Sequence, residues 1–455
     1  MLFEDLRRRI PLAFRQGLGD RSFLAHLTAH DRFYGREKEE QYMSIRKAFK
    51  YRIYPNKETE SHLLWVLSRC RELYHAALTE RRDAYNFHVR QHPNYYDTET
   101  RRRLTSELTV SYNSQQNDLP EIKAELREEF QEIAAHVLQD VLRRLDRAFQ
   151  AFFRRVRNGE TPGYPRFKGR DRYDSFTYPD LAGWKFDGWY LHLSKIGSIK
   201  VKLHRPLVGK IKTVTIKREG AHWFVVFSCE LEQLTPLPIS YEDVGIDLGV
   251  THLATLSTGE MIEHPRSYRH AEKQLKRRQQ ALARKKKGSH RRERARRLIG
   301  KAHRRIARQR RDFSHKQARK LVNRFQVIVF EDLQIANLMR RPKPKKGEKP
   351  GEYLPNRAAA KGGLNKSIQD AGWGLFVSIC HAKAEEAGRT LLKVDPKFTS
   401  QICSNCGLVK KKDLSERWHT CDCGADLDRD VNAAKTILAR GKRQLARTGP
   451  TSATA

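Results

Sequence analysis

Four cysteines stand as Cys403-x2-Cys406 and Cys421-x-Cys423, with fourteen residues between the two pairs. Each close pair can furnish one edge of a tetrahedron of thiolates, the arrangement in which zinc is held. Gly407 and Gly424 follow the pairs and let the backbone fold over the sulfurs. The pattern predicts one structural zinc ion. Cys70, Cys229 and Cys380 are scattered singles, expected as small buried hydrophobes rather than disulfide halves. Such cysteine usage fits a reducing compartment.

A second kind of chemistry is suggested by acids. Asp247 lies in the strand-like run VGIDLG, Glu331 ends the apolar run VIVFE, and Asp430 opens the helix-like run DVNAAKTIL. Hard oxygen ligands from separate elements are what a pair of divalent ions needs to clamp an in-line attack on a phosphodiester. Taken singly, each has a plainer role: turn residue, strand-end surface acid, helix cap. Asp426 and Asp428 compete with Asp430, while Asp332 and Asp395 also sit at strand ends.

Composition names the partner class. The chain of 455 residues carries 90 Lys and Arg against 53 Asp and Glu, a net charge of +37. A surplus of this size points to a polyanion bound with counterion release. Between Glu272 and Arg324 there are 23 basic residues and three acids, which would repel one another without such a partner. Within that hairpin Lys276, Arg277, Arg304 and Arg305 are candidate contacts. Upstream, residues 159–179 interleave aromatic and basic side chains: Tyr164, Arg166, Phe167, Lys168, Arg170, Arg172 and Tyr173 are candidates for base stacking and phosphate contact. The same aromatics would also serve to pack the loop on its own domain. No apolar run is long enough to span a membrane, and no signal peptide is evident, so a cytosolic protein is expected.

The elements that must position these groups follow from periodicity. Phe49, Tyr51 and Ile53 alternate with Lys50 and Arg52 as in a half-buried strand, ended by Pro55-Asn56. Leu63, Leu64, Leu67, Cys70, Leu73, Tyr74 and Ala77 form a helical stripe. From Pro120 to about residue 157 one long amphipathic helix is predicted, its face formed by Leu126, Phe130, Ile133, Val137, Val141, Leu145, Phe149 and Phe152. Residues 184–231 alternate as strands of a small barrel or curved sheet. A new domain starts near Asp243 with a hairpin, then a basic helical pair turning near Gly288 on a seam of Leu275, Leu282, Leu298, Ala302, Ile306 and Phe313. The strand around 327–333, a loop over 340–363 expected to be mobile, a helix around 364–388 and a strand at 391–396 lead to the cysteines. The polar run Ser111–Asn117 is either a source of amide contacts to base edges or an ordinary loop.

Several of these stretches resemble one family. They are RKAFKYRIYPNKE (46–58), AFQAFFRRVRNGETPGYPRFKGRDRYDSFTY (148–178), GIDLGVTHLATLSTG (245–259), DFSHK (312–316), FEDLQIANL (330–338), FTSQICSNCG (398–407) and DRDVNAAKTIL (428–438). In this order they are similar to the TnpB proteins of bacterial and archaeal insertion sequences, once called OrfB transposases and related to type V CRISPR effectors. The match runs from about Ile45 to Leu438.

The resemblance implies an RNA-guided DNA endonuclease of multidomain α+β and α/β class. A small wedge β-barrel (43–57 and 158–240) would carry a helical recognition insert (58–157). A RuvC domain of RNase H-like fold (241–398 and 424–440, with the basic hairpin at 271–324) would hold an inserted zinc module (399–423). Residues 1–42 would be an extension and 441–455 a disordered tail. By motif, Asp247, Glu331 and Asp430 are the RuvC acids, holding two catalytic magnesium ions, and Cys403, Cys406, Cys421 and Cys423 hold one zinc. The implied partners are a guide RNA from the element's right end and target double-stranded DNA, in a monomeric ribonucleoprotein in a prokaryotic cytoplasm, associated with the nucleoid. A nuclease-inactive RNA-guided repressor and a CRISPR-associated effector are the alternatives; keeping all three acids favours the enzyme.

Overall fold

The structure is a computed structural model that describes residues 45–86, 110–231, 236–347, 352–413 and 416–448. The expected extension 1–42, much of the polar stretch 91–119 and residues 449–455 lie outside the described residues. The chain divides into two compact units, Met1–Gln233 and Leu234–Ala455.

In the first unit, β1 (Ile45–Tyr54) buries Phe49, Tyr51 and Ile53 as its alternation predicts. Asn56 accepts the Thr59 N–H at 2.7 Å and starts α1 (Lys57–Tyr85), whose stripe of Leu63, Val66, Leu67, Cys70, Leu73, Tyr74 and Ala77 is buried. A short helix α2 (Tyr112–Asn117) and the long α3 (Ala135–Arg157) pack beside it. Strands β2 (Ser175–Tyr178), β3 (Trp184–Phe186), β4 (Tyr190–Leu193), β5 (Gly197–Lys202), β6 (Lys210–Glu219) and β7 (His222–Leu231) complete an antiparallel seven-stranded sheet of order β2-β6-β7-β1-β5-β4-β3. The Tyr178 hydroxyl donates to the carbonyl of Ser194, just past β4, at 3.0 Å. That bond ties edge strand β2 to the β4-β3 end of the sheet, so that the sheet is a near-closed barrel.

The single helix predicted from Pro120 does not form. Residues 119–132 are separate short turns, and only Ala135–Arg157 is regular. At Arg127 the backbone leaves the helical region, with φ −145° and ψ 69°. Its guanidinium is ion-paired to Glu72 at 2.8 Å and Glu129 at 2.7 Å, with Arg69 also on Glu129. This cross-helix network holds the break, and Leu126 is exposed rather than on the apolar face. Phe130, Ile133, Val137, Val141, Leu145, Phe149 and Phe152 are buried as expected.

The second unit is built on a sheet of order β10-β9-β8-β11-β14. Its strands are β8 (Asp243–Asp247), β9 (His252–Leu256), β10 (Met261–Glu263), β11 (Val327–Glu331) and β14 (Thr390–Val394). The first three are antiparallel, whereas β8, β11 and β14 run parallel. The hairpin α4 (Ser267–Ala283) and α5 (His290–Arg324) turns at Gly288, where φ is +84°, and closes on Leu275, Ala302 and Ile306. Leu298, predicted in that seam, is exposed. Within the loop expected to be mobile, β12 (Lys345–Lys346) pairs with β13 (Tyr353–Leu354). The helix predicted around 364–388 is two helices, α6 (Ala358–Ala371) and α7 (Trp373–Ala387), split at Gly372 with φ +69°. A ribbon of β15 (Trp418–Thr420) and β16 (Asp426–Asp428) leads into α8 (Arg429–Thr448), which continues well beyond residue 441, where a disordered tail was expected.

Helix α8 packs across the sheet, chiefly on β8. A Cβ at Gly245 would stand 2.1 Å from the Ala434 carbonyl oxygen and 2.6 Å from the Leu438 amide nitrogen. A Cβ at Gly441 would stand 2.4 Å from the Val329 side chain. Two glycines, one on the strand and one on the helix, therefore set how closely α8 can approach. Gly245→Ala forces backbone away from backbone and should destabilise this unit by about 2–3 kcal/mol. A fall of several degrees in the thermal midpoint is expected; an unchanged midpoint would contradict the close approach.

Candidate active site and metal centre

Asp247 is the last residue of β8 and Glu331 the last of β11. The two strands pair in parallel register through Ile246 and Phe330, so each acid lies one position past the last paired residue. Side chains alternate along a strand, which turns Asp247 to the face of Gly245 and Glu331 to the face of Val329. That is the face α8 covers. From Gly245 to Asp247 the strand advances about 6.6 Å, and one helical turn back from Ala434 to Asp430 spans about 6 Å. Asp430 is thereby carried toward the ends of both strands.

The electrostatics record the meeting. Burial holds the Asp247 carboxyl well above the usual carboxylate range, the negative charges of Glu331 and Asp430 push it further, and Arg429 opposes them. The side chain keeps some solvent access although dense protein surrounds it. Burial also raises Glu331, opposed by a hydrogen bond that it accepts from Thr399 and by the charge of Arg440. The Arg429 guanidinium lies 3.4 Å from the Asp430 carboxylate.

Competing acids are otherwise engaged. Asp428 caps α8, accepting the amides of Asp430 at 2.8 Å and Val431 at 3.2 Å, so Asp430 is not needed as the cap. Asp426 accepts the indole N–H of Trp418. Asp332 pairs with Lys393 at 3.5 Å, and Asp395 accepts the Lys397 amide at 3.0 Å.

The four cysteines come together. Their sulfurs all lie within 4.8 Å of one another, the only such group of three or more His, Cys, Asp or Glu among the described residues. Cys403–Cys423 and Cys406–Cys421 are each 3.6 Å apart. A zinc tetrahedron with bonds of about 2.3 Å has edges of roughly 3.8 Å, so the donor set fits that ion. Gly407 and Gly424 take φ of +81° and +83° in the two turns beneath the sulfurs. Asp247, Glu331 and Asp430 do not form such a group.

Two side chains missed in the sequence tie these groups together. The Thr399 hydroxyl, buried, donates to Glu331. Asn432, fully buried on α8, donates to the Ile402 carbonyl at 2.7 Å and accepts the Ser404 amide at 2.9 Å, bracketing Cys403. Their only trace in the sequence was membership of the runs FTSQICSNC and DVNAAKTIL.

The nucleic-acid candidates separate. On α4 and α5, Lys276, Arg277 and Arg305 are exposed and Arg304 partly so. In the loop before β2, Arg166, Arg170 and Arg172 are exposed, as are part of Tyr164 and Phe167. Tyr164 meets Phe149 and Phe152 edge-on, and Phe167 meets His75. Tyr173 corrects the sequence reading: it is buried against Tyr74 and offers no face to a base. Lys168 also turns inward, its ammonium 4.6 Å from the Tyr74 ring centroid. In the polar run 111–117, Gln115 is buried and bonded to Ala77 and Glu80, and Ser111 and Ser114 form a capping box. Those three are committed to the fold.

Strand-end carboxylates, a thiol knuckle and an arginine-studded hairpin are the parts that a nucleic-acid enzyme would use. Comparison with known proteins supports that class. Residues 226–341 match the OrfB_IS605 family model, described as a probable transposase; residues 43–88 match its helix-turn-helix domain model, and 373–437 the Cas12f1-like TNB domain model. A Streptomyces pristinaespiralis protein named as an RNA-guided DNA endonuclease is 34% identical over 404 residues, covering 87% of this chain and 90% of its own length. Escherichia coli InsQ, given the same name, is 31% identical over 403 residues, covering 88% and 93%. The chain belongs to the TnpB (OrfB) family.

Two measurements follow. Because the fold raises the Asp247 pKa, it binds that proton more tightly than the unfolded chain does. The resulting penalty is absent below about pH 4 and grows as pH rises toward the raised value. Asp247→Asn should therefore stabilise the fold in magnesium-free buffer at pH 8 by about 1 kcal/mol or more, read as a higher thermal midpoint, with the gain shrinking toward pH 4. No gain at pH 8 would contradict a carboxyl held buried beside other negative charges. For the knuckle, elemental analysis should find one zinc per chain, lost in Cys403→Ser; a zinc-free wild type would count against the site.

Proposed function

We propose that this protein is an RNA-guided DNA endonuclease of a transposable element, cutting DNA that pairs with its guide RNA beside a short flanking motif. The activity is that named for the two relatives, which this chain matches along most of their length. What supports the mechanism is that Asp247 and Glu331 end adjacent parallel strands, while Asp430, at the start of α8, is near enough for its charge to raise the Asp247 carboxyl. Open α/β sheets place their ligands at that end.

The sheet order, an antiparallel β10-β9-β8 hairpin extended by parallel β11 and β14, supports an RNase H-like, RuvC-type reading. In it the three carboxylates hold two magnesium ions. Bound there, magnesium would supply a polarised water and charge stabilisation of the leaving oxygen. The residues of the chain do the rest: Thr399 keeps one Glu331 oxygen fixed, Arg429 neutralises part of the Asp430 charge, and Asp428 leaves Asp430 free by taking the cap. Sequence is read by base pairing, while the protein grips the duplex by shape and charge. The exposed arginines and lysines of α4 and α5, together with Arg166, Arg170 and Arg172, suit a backbone grip. We propose a monomeric ribonucleoprotein.

The test begins with protein expressed alongside its flanking DNA, and sequencing of the RNA that copurifies. A discrete RNA ending in variable sequence supplies the guide and the target. With magnesium, wild type should cut that target, and Asp247→Ala and Glu331→Ala should cut at least about 10³-fold more slowly while binding it normally. Undiminished cutting by either variant, or heterogeneous RNA with no guided cleavage, would overturn the proposal.

A further inference from the structure

The segment 398–406 touches the supports of two of the three acids. At its start Phe398 has φ +60°, a left-handed conformation that costs a bulky residue strain, held by the amides of Gln401 and Ile402, both donating to the Phe398 carbonyl at 3.0 Å. This turn places Thr399 beneath Glu331. The hydroxyl has one proton and two acceptors in reach, Glu331 and the Pro396 carbonyl at 3.1 Å; the carboxylate is the stronger acceptor and takes it. Thr399 is thus buried with its proton committed to one carboxylate oxygen, leaving the other free.

Four residues on, the chain is clamped to α8. Asn432 uses both ends of its amide, one on Ile402 and one on Ser404, so the backbone on either side of Cys403 is fixed to the helix two residues past Asp430. The Thr436 hydroxyl donates within the helix to the Asn432 carbonyl at 3.0 Å, with the Ile402 carbonyl 3.4 Å away. Both Asn432 and Thr399 are buried.

We infer that Thr399 and Asn432 make the cysteine knuckle a strut, which sets the position of Glu331 relative to Asp430 and so tunes magnesium binding at the acid site. Thr399 acts through Glu331 and is a positioning residue. The inference rests on the magnesium reading of the acids. It gives the knuckle a mechanical role in the nuclease in addition to any contact with nucleic acid.

Thr399→Val removes the hydroxyl and keeps the shape; Thr399→Ser keeps the hydroxyl. Two readouts are needed: the thermal shift of the protein on titration with magnesium chloride, and the magnesium dependence of cutting by the guide-loaded protein. Supporting hydrogen bonds to metal ligands are worth roughly 10–100-fold in affinity or activity. Thr399→Val should need about tenfold more magnesium in both readouts, with zinc content and target binding unchanged, and Thr399→Ser should restore wild-type values. An unchanged magnesium dependence in Thr399→Val overturns the inference. Should that variant lose its zinc, Asn432→Leu decides: it removes both bonds of the clasp without adding a charge beside Asp430, and a wild-type magnesium dependence there overturns the strut equally. Asp247→Ala separates the two levels. If it cuts, the reading of the acids fails; if it does not and Thr399→Val behaves as wild type, only the strut fails.

Discussion

Where α8 crosses β8, backbone meets backbone with no side chain between. Gly245 admits the Ala434 carbonyl and the Leu438 amide, and Gly441 admits the side chain of Val329. Helix and sheet usually stand apart by the depth of their side chains, as interiors are close-packed. Here that spacing is removed at two points, and only then does a carboxylate at the helix start come within electrostatic reach of carboxylates at strand ends. Three like charges held together are a cost to the fold. The close helix contact, buried Ala433, Ala434 and Ile437, and the Asp428 cap oppose it.

The cysteine knuckle joins that arrangement rather than hanging from it. Its first turn is bonded to α8 through Asn432, and the residues leading into it are bonded to β11 through Thr399. A module that the family resemblance implies to be an insertion between two parts of a domain is stitched to both. The basic hairpin is different: α4 and α5 close on a seam of three small or aliphatic residues, and their surface is left to charge.

Legibility in the sequence followed the range of the interaction. Local alternation was enough for β1, short apolar runs for β8 and β11, and ligand spacing for the cysteines, because strands and tight turns are written within a few residues. The break at Arg127 was not legible: no proline or glycine marks it, and it depends on Glu72 from another helix. Tyr173 looked like one more ring of a binding loop, since nothing nearby reveals that Tyr74 lies behind it. Among Asp426, Asp428 and Asp430, spacing left the choice open. The cap taken by Asp428 separates their roles, and that depends on where α8 begins. The length of α8 was underestimated because its small residues look like a loose tail; Gly441 is in fact buried against Val329.

The distance along the chain between β8 and α8 has a consequence for how the protein is made. Asp247 and Glu331 are synthesised long before the helix that covers them, and Gly245 remains bare until the knuckle and α8 follow. Contacts of such wide sequence separation close late. During vectorial synthesis the barrel unit and its helices can settle first, while the sheet of the second unit waits for its last element. On the proposed function, a growing chain would therefore carry its basic hairpin, a surface able to hold nucleic acid, before the site that would cut is complete.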